Sequence, residues 1–306
     1  MREIIDWLLE GDPAIVFQVQ RDLLDAPAAR CRSLQARIAK SGWGADLLAQ
    51  RGEDGRWGRG LYDPKWTSTT YTLLELRRLG LAQNDRAAVA STKLLLSESV
   101  WMRGRRADYW EACIAGFALG LASWFASDAE PRDALLAEVL DAQMPDGGWN
   151  CRRPRGATHS SFHTTINVLE GLHDYGTRRR EVKLAQARAR EFFCAHHLYR
   201  SHRTGAVVDS KMTRVSFPPR WRHDVLRTLD YFQATRAERD ERLEDPIERL
   251  RNARTKDGRW PQQTPMSGRT WHTMERVGQP SRWNTLRALR VLRWWNGGSA
   301  DPKRWS

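Results

Sequence analysis

Sulfur is scarce in this chain of 306 residues, whose four cysteines, Cys31, Cys113, Cys151 and Cys194, lie far apart. That spacing excludes a small disulfide framework, and reduced thiols of this kind serve as buried core groups or metal ligands. Long apolar runs are also missing. No stretch approaches the roughly 18 to 20 residues of a bilayer span, so no membrane span is expected. The opening Met1-Arg2-Glu3-Ile4-Ile5-Asp6-Trp7 carries acids where a secretory signal needs an unbroken apolar core, which makes a cytoplasmic location the default. Lysine is rare too, with seven among the 50 basic residues. Acids are in deficit, 37 against those 50, and the net charge of +13 favours an anionic partner or arginine-rich solvated helix faces. The basic residues are scattered among acids and form no recognised nucleic-acid motif, so nucleic-acid binding ranks last among the functions considered. What is present is ordinary for a chain with a large core: 41% hydrophobic and 28% charged residues.

A repeat organises the rest. The tetrapeptide Asp-Gly-x-Trp occurs at Asp54–Trp57, Asp146–Trp149 and Asp257–Trp260, each time between two helical segments. Asp-Gly supplies a left-handed turn that ends a helix, and Trp an apolar plate with one N–H donor. Apolar helices that open on small or polar residues are predicted to begin near 13, 66, 110, 159, 220 and 281. More polar amphipathic helices are predicted at 2–10, 34–50, 85–100, 132–143, 181–198 and 239–253. Helices of alternating character at a period of about fifty bury a continuous core by stacking on their neighbours. The expected fold is all-α, a single domain over residues 1–306 in which six helix pairs close into an (α/α)6 toroid with an inner and an outer ring. Parallel inner helices would then gather their N-termini at one mouth.

At this point the chain resembles a known superfamily. Gln143-Met144-Pro145-Asp146-Gly147-Gly148-Trp149 looks like the repeat motif of squalene cyclases, and the repeat plan is similar to that of protein prenyltransferase β-subunits. The cyclase chemistry does not carry over, because its acid cluster needs adjacent aspartates and this sequence has none. In the prenyltransferases a zinc ion is held by Asp-x-Cys at the head of one inner helix and by a His at the head of the next. The resemblance therefore implies a zinc site of Glu111, Cys113 and His163, with Glu in place of Asp. Three protein ligands and an open fourth position describe a catalytic zinc. Cys151 and His159 form a second candidate set beside His163, His159 and His163 being four residues apart on one helix face. His223 and Asp224, with His159, are candidates for acid–base work at the same mouth.

Arg105 stands six residues before Glu111, where the family places an arginine that contacts diphosphate. Arg152 and Arg282 are further candidates there, and helix N-termini add partial positive charge. Trp110 and Trp221 could line an apolar cavity or pack the ring. The expected function is a zinc-dependent enzyme acting on a small hydrophobic or isoprenoid-like substrate, such as an allylic diphosphate, in a central cavity. A non-catalytic toroid holding a hydrophobic ligand is the rival from another class. Substrate identity and oligomeric state are left open.

Overall fold

The computed structural model describes residues 1–98, 111–125, 128–263 and 267–298. Among them the chain is mostly helical: α1 (Arg2–Leu9), α2 (Pro13–Asp22), α3 (Ala28–Gln35), α4 (Gly42–Ala49), α5 (Thr69–Leu79), α6 (Arg86–Ser97), α7 (Ala112–Trp124), α8 (Ala129–Asp141), α9 (Phe162–Tyr175), α10 (Arg180–Ala195), α11 (Val225–Ala234), α12 (Glu244–Asn252) and α13 (Arg282–Trp295). One short antiparallel pair, β1 (Trp260–Pro261) with β2 (Pro280–Ser281), leads into α13. No helix of the described residues is long and apolar enough to cross a membrane.

The predicted alternation of apolar and polar helices is visible in burial. In α7 ten of 13 residues are buried and in α5 nine of 11, whereas α3 buries none and α12 three of nine. The buried helices α5 and α7 are the ones that must meet other helices on several faces. The single helix predicted over 34–50 is instead two, α3 and α4. The carboxylate of Asp12, which caps α2 by accepting from the Ala14 N–H at 2.8 Å, also accepts from the Trp43 N–H at 2.8 Å. That second bond draws the chain against the start of α2 at Gly42, where φ is +72° and a side chain would collide with Asp12.

The three Asp-Gly-x-Trp turns share one bonding plan. Each Trp is fully buried, and its indole N–H donates to the carbonyl ten residues upstream: Trp57 to Leu47, Trp149 to Val139 and Trp260 to Leu250, all at 2.7 Å. Each Trp backbone N–H donates in turn to the hydroxyl of a threonine at the head of the following buried helix, Thr69, Thr165 or Thr285. One residue thus ties the end of a peripheral helix to the start of a buried one. Burying such a ring is worth about 3 kcal/mol or more, and the paired N–H groups keep that burial from leaving unmet donors.

Helix packing follows chain order. The helices α5, α7 and α9 contact in sequence, α11 contacts α9 and α13, and α13 returns to α2. The α7–α9 seam is lined by Gly116, Gly120 and Gly171, and a Cβ on Gly116 would stand 2.8 Å from the Cα of Val168. Small residues let the two backbones approach, which sets the heads of α7 and α9 side by side. At the chain ends, Arg290 of α13 donates to Gln18 and Asp22 of α2 at 3.1 and 3.0 Å, and Arg293 donates to the Asp22 carbonyl at 2.7 Å.

A candidate metal centre and an arginine-lined cavity

Glu111 is the N-cap residue of α7, yet its carboxylate makes no capping bond, which leaves it free for other partners. Cys113 follows in the first turn. Cys151 comes from the turn after Trp149, a segment held by the Asn150 side chain donating to the His159 carbonyl at 2.7 Å and by the Ser161 N–H donating to the Trp149 carbonyl at 2.8 Å. Ligand atoms of Glu111, Cys113 and Cys151 all lie within 4.8 Å of one another. The Cys113 and Cys151 sulfurs are 2.8 Å apart, beyond the roughly 2.05 Å of a disulfide, and all four cysteines are free.

The two thiols are unequal. The backbone N–H of Cys113 and the Thr164 hydroxyl donate to the Cys151 sulfur at 3.3 and 3.5 Å. Hydrogen bonding from Cys113 holds the Cys151 thiol below its ordinary range despite burial. The same contact, then burial and the nearby Glu111 charge, push Cys113 well up. Two sulfurs in contact next to a carboxylate form a donor set of the kind that takes a soft or borderline metal ion.

His163 does not belong to this group of three. Its Nδ1 accepts the His223 backbone N–H at 2.9 Å, and its ring stands edge-on to Trp221 with centroids 5.1 Å apart. Burial, with Arg222 and Arg227 nearby, pushes the imidazole down to about 4, so it is neutral at pH 7. An Nδ1 that accepts places the proton on Nε2, and neither nitrogen then offers a lone pair to a metal. Sequence spacing had placed Cys151 in a separate set; the fold puts its sulfur beside Cys113.

The other candidates are dispersed. His223 is fully buried, with Nε2 on the Leu198 carbonyl at 2.7 Å and Nδ1 on the Thr228 hydroxyl at 2.9 Å, so both ring nitrogens are engaged in packing. Asp224 is the N-cap of α11, accepting from the Arg227 N–H at 2.8 Å, and burial raises its carboxyl. His159 and Arg152 are exposed. Arg282 donates to the Trp7 carbonyl at 3.0 Å and lies over the Trp7 ring. Arg105 and Trp110 fall outside the described residues.

A second feature was not among the sequence candidates. A cavity of about 420 Å³ is lined by residues of α2, α5, α7, α9, α11 and α13 together. Seven arginines and four carboxylates face it, so its wall is charged rather than apolar. Arg227 is fully engaged: it forks onto Glu170 at 2.6 and 2.8 Å and also donates to Asn167 and the Arg222 carbonyl. Burial alone would raise Glu170, but Arg227 outweighs it and holds the carboxyl well below the usual range. Arg290 is engaged in the same way, forking onto Asp230 at 2.5 Å on each arm. Arg77 pairs with Asp174 and lies over the Trp124 ring. The sequence signal was available, since Arg227 and Arg287 interrupt apolar runs on helices predicted to be buried. Comparison with protein-family models gave no match, and comparisons with curated proteins and with solved structures gave none either.

Proposed function

We propose that this chain is a metal-dependent enzyme whose zinc centre is formed by Glu111, Cys113 and Cys151. The observation that carries the reading is the convergence of one carboxylate and two thiols within 4.8 Å, two from the head of α7 and one from the turn after Trp149. Thiolate and carboxylate are accepted zinc ligands, and three of them leave a fourth position for substrate. Zinc bound there supplies Lewis-acid polarisation of a substrate oxygen, or a lowered pKa for a bound thiol or water. The protein's own part is to hold the donors in place. Glu111 is freed from capping, the Cys113 N–H and Thr164 hydroxyl stabilise charge on the Cys151 sulfur, and the glycine seam fixes the spacing of the two heads.

The architecture we propose for it is a single (α/α)6 toroid. Its support is the return of α13 to α2 and the one cavity that residues from six buried helices line. An isoprenoid-like substrate rests on the resemblance to prenyltransferases alone.

Metal analysis of the full-length protein purified without chelator tests the centre. Stoichiometric zinc is expected in the wild type and in His163→Ala, and its loss in Cys113→Ser and Cys151→Ser. A wild type free of zinc, or a Cys151→Ser variant that keeps it, overturns the proposal.

A further inference from the structure

Two arginines in the cavity wall are left half-paired by the others. Glu170 is held by both arms of Arg227, so Arg78 reaches it only at 3.3 Å through one nitrogen, which also contacts the Arg220 carbonyl at 3.4 Å. Asp230 is held by both arms of Arg290, so Arg287 likewise has a single contact to it at 3.3 Å. Arg287 is 4% exposed, and its buried Nη1 has no hydrogen-bond partner among the described residues. A guanidinium nitrogen taken out of water and left unmet is costly, and folding tolerates it where a ligand completes the set.

Charge points the same way. Seven arginines against four carboxylates leave the lining three positive charges in excess when all are ionised. Burial, and to a lesser extent Arg227 and Arg77 beside it, push Arg78 down to about 9, with Glu170 opposing the fall. Guanidinium forks match the oxygens of phosphate in spacing and charge. The site is also separate from the sulfur cluster. Cys113 opens α7 and the cavity-lining Trp124 closes it, eleven residues on, a rise of roughly 16 Å along the axis.

From this arrangement we infer that the cavity is a binding site for a small dianion of the phosphate class, held by Arg287 and Arg78 and distinct from the metal centre. The anion takes the donors that Glu170 and Asp230 cannot serve. Arg227 and Arg290 stay on their carboxylates and keep the wall in shape.

The test is thermal unfolding and calorimetric titration of the full-length protein with inorganic phosphate, against chloride at matched ionic strength and against citrate. Phosphate is expected to raise the melting temperature and to bind, while chloride does neither and citrate binds more weakly. Arg287→Gln and Arg78→Gln are each expected to weaken phosphate binding roughly tenfold or more. Arg287→Gln removes an unmet buried donor, so without phosphate its melting temperature is expected to equal or exceed that of the wild type. Cys151→Ser is expected to keep phosphate binding, which separates this site from the metal centre. The inference is overturned if phosphate acts no differently from chloride, if citrate binds as well as phosphate, or if both arginine variants keep wild-type affinity.

Discussion

At the head of α7 three groups that attract cations crowd within 4.8 Å, while toward its tail guanidinium groups outnumber the carboxylates that face them. Both regions are built on the same helices, yet they handle charge in opposite ways. At the head, the helix leaves the Glu111 carboxylate without a capping bond and brings two sulfurs into contact. Toward the tail, Glu170 and Asp230 are each held by both arms of one arginine, so that the shortage falls on Arg78 and Arg287. A carboxylate at the head is therefore a donor for a ligand; one at the tail is part of the wall.

The same substitution at the two ends sharpens that contrast most. Glu170→Gln leaves Arg227 and Arg78 buried without their anion and is expected to lower the unfolding free energy by about 3 kcal/mol in urea denaturation. Glu111→Gln, with no bond from its carboxylate to lose among the described residues, is expected to change it by less than about 0.5 kcal/mol while reducing zinc content. Equal losses at both positions would erase the distinction. The seam that joins the regions comes next. A methyl group on Gly171 would run into the Gly116 carbonyl, so Gly171→Ala is expected to cost about 1–3 kcal/mol and to lower metal affinity by parting the heads of α7 and α9.

The last effect is one of pH. His163 titrates near 4 in the folded chain and near 6.5 when unfolded, so between these values the unfolded state binds the extra proton. Stability should therefore fall as pH drops from 6.5 toward 4 and change no further, for this group, below 4. His163→Asn, which cannot take the proton, is expected to flatten that fall by about 1 kcal/mol after allowance for solvent screening. Parallel melting curves for wild type and variant across that range would remove His163 from the account.

The sequence announced the helical class and the Asp-Gly-x-Trp turns better than the site. Asp-Gly-x-Trp is legible because one residue pattern produces one set of bonds three times over, and apolar helix heads are legible from composition. Glu111 and Cys113 could be named because they share a turn. Cys151 could not be joined to them, since a loop's path depends on bonds such as Asn150 to the His159 carbonyl that no spacing predicts. His163 has the right register and the wrong tautomer, a fact set by an amide 60 residues away. The cavity arginines stayed hidden because arginine on a helix reads as solvated surface until the facing helices are known.

The bonds between α13 and α2 span 268 and 272 residues of chain. Gln18 and Asp22 are therefore synthesised long before Arg290, which must reach back to them. Until then α2 lacks the donors of α13, and a variant cut before α13 lacks them permanently. Closing so long a loop is slow, so this seam should be among the later contacts to form.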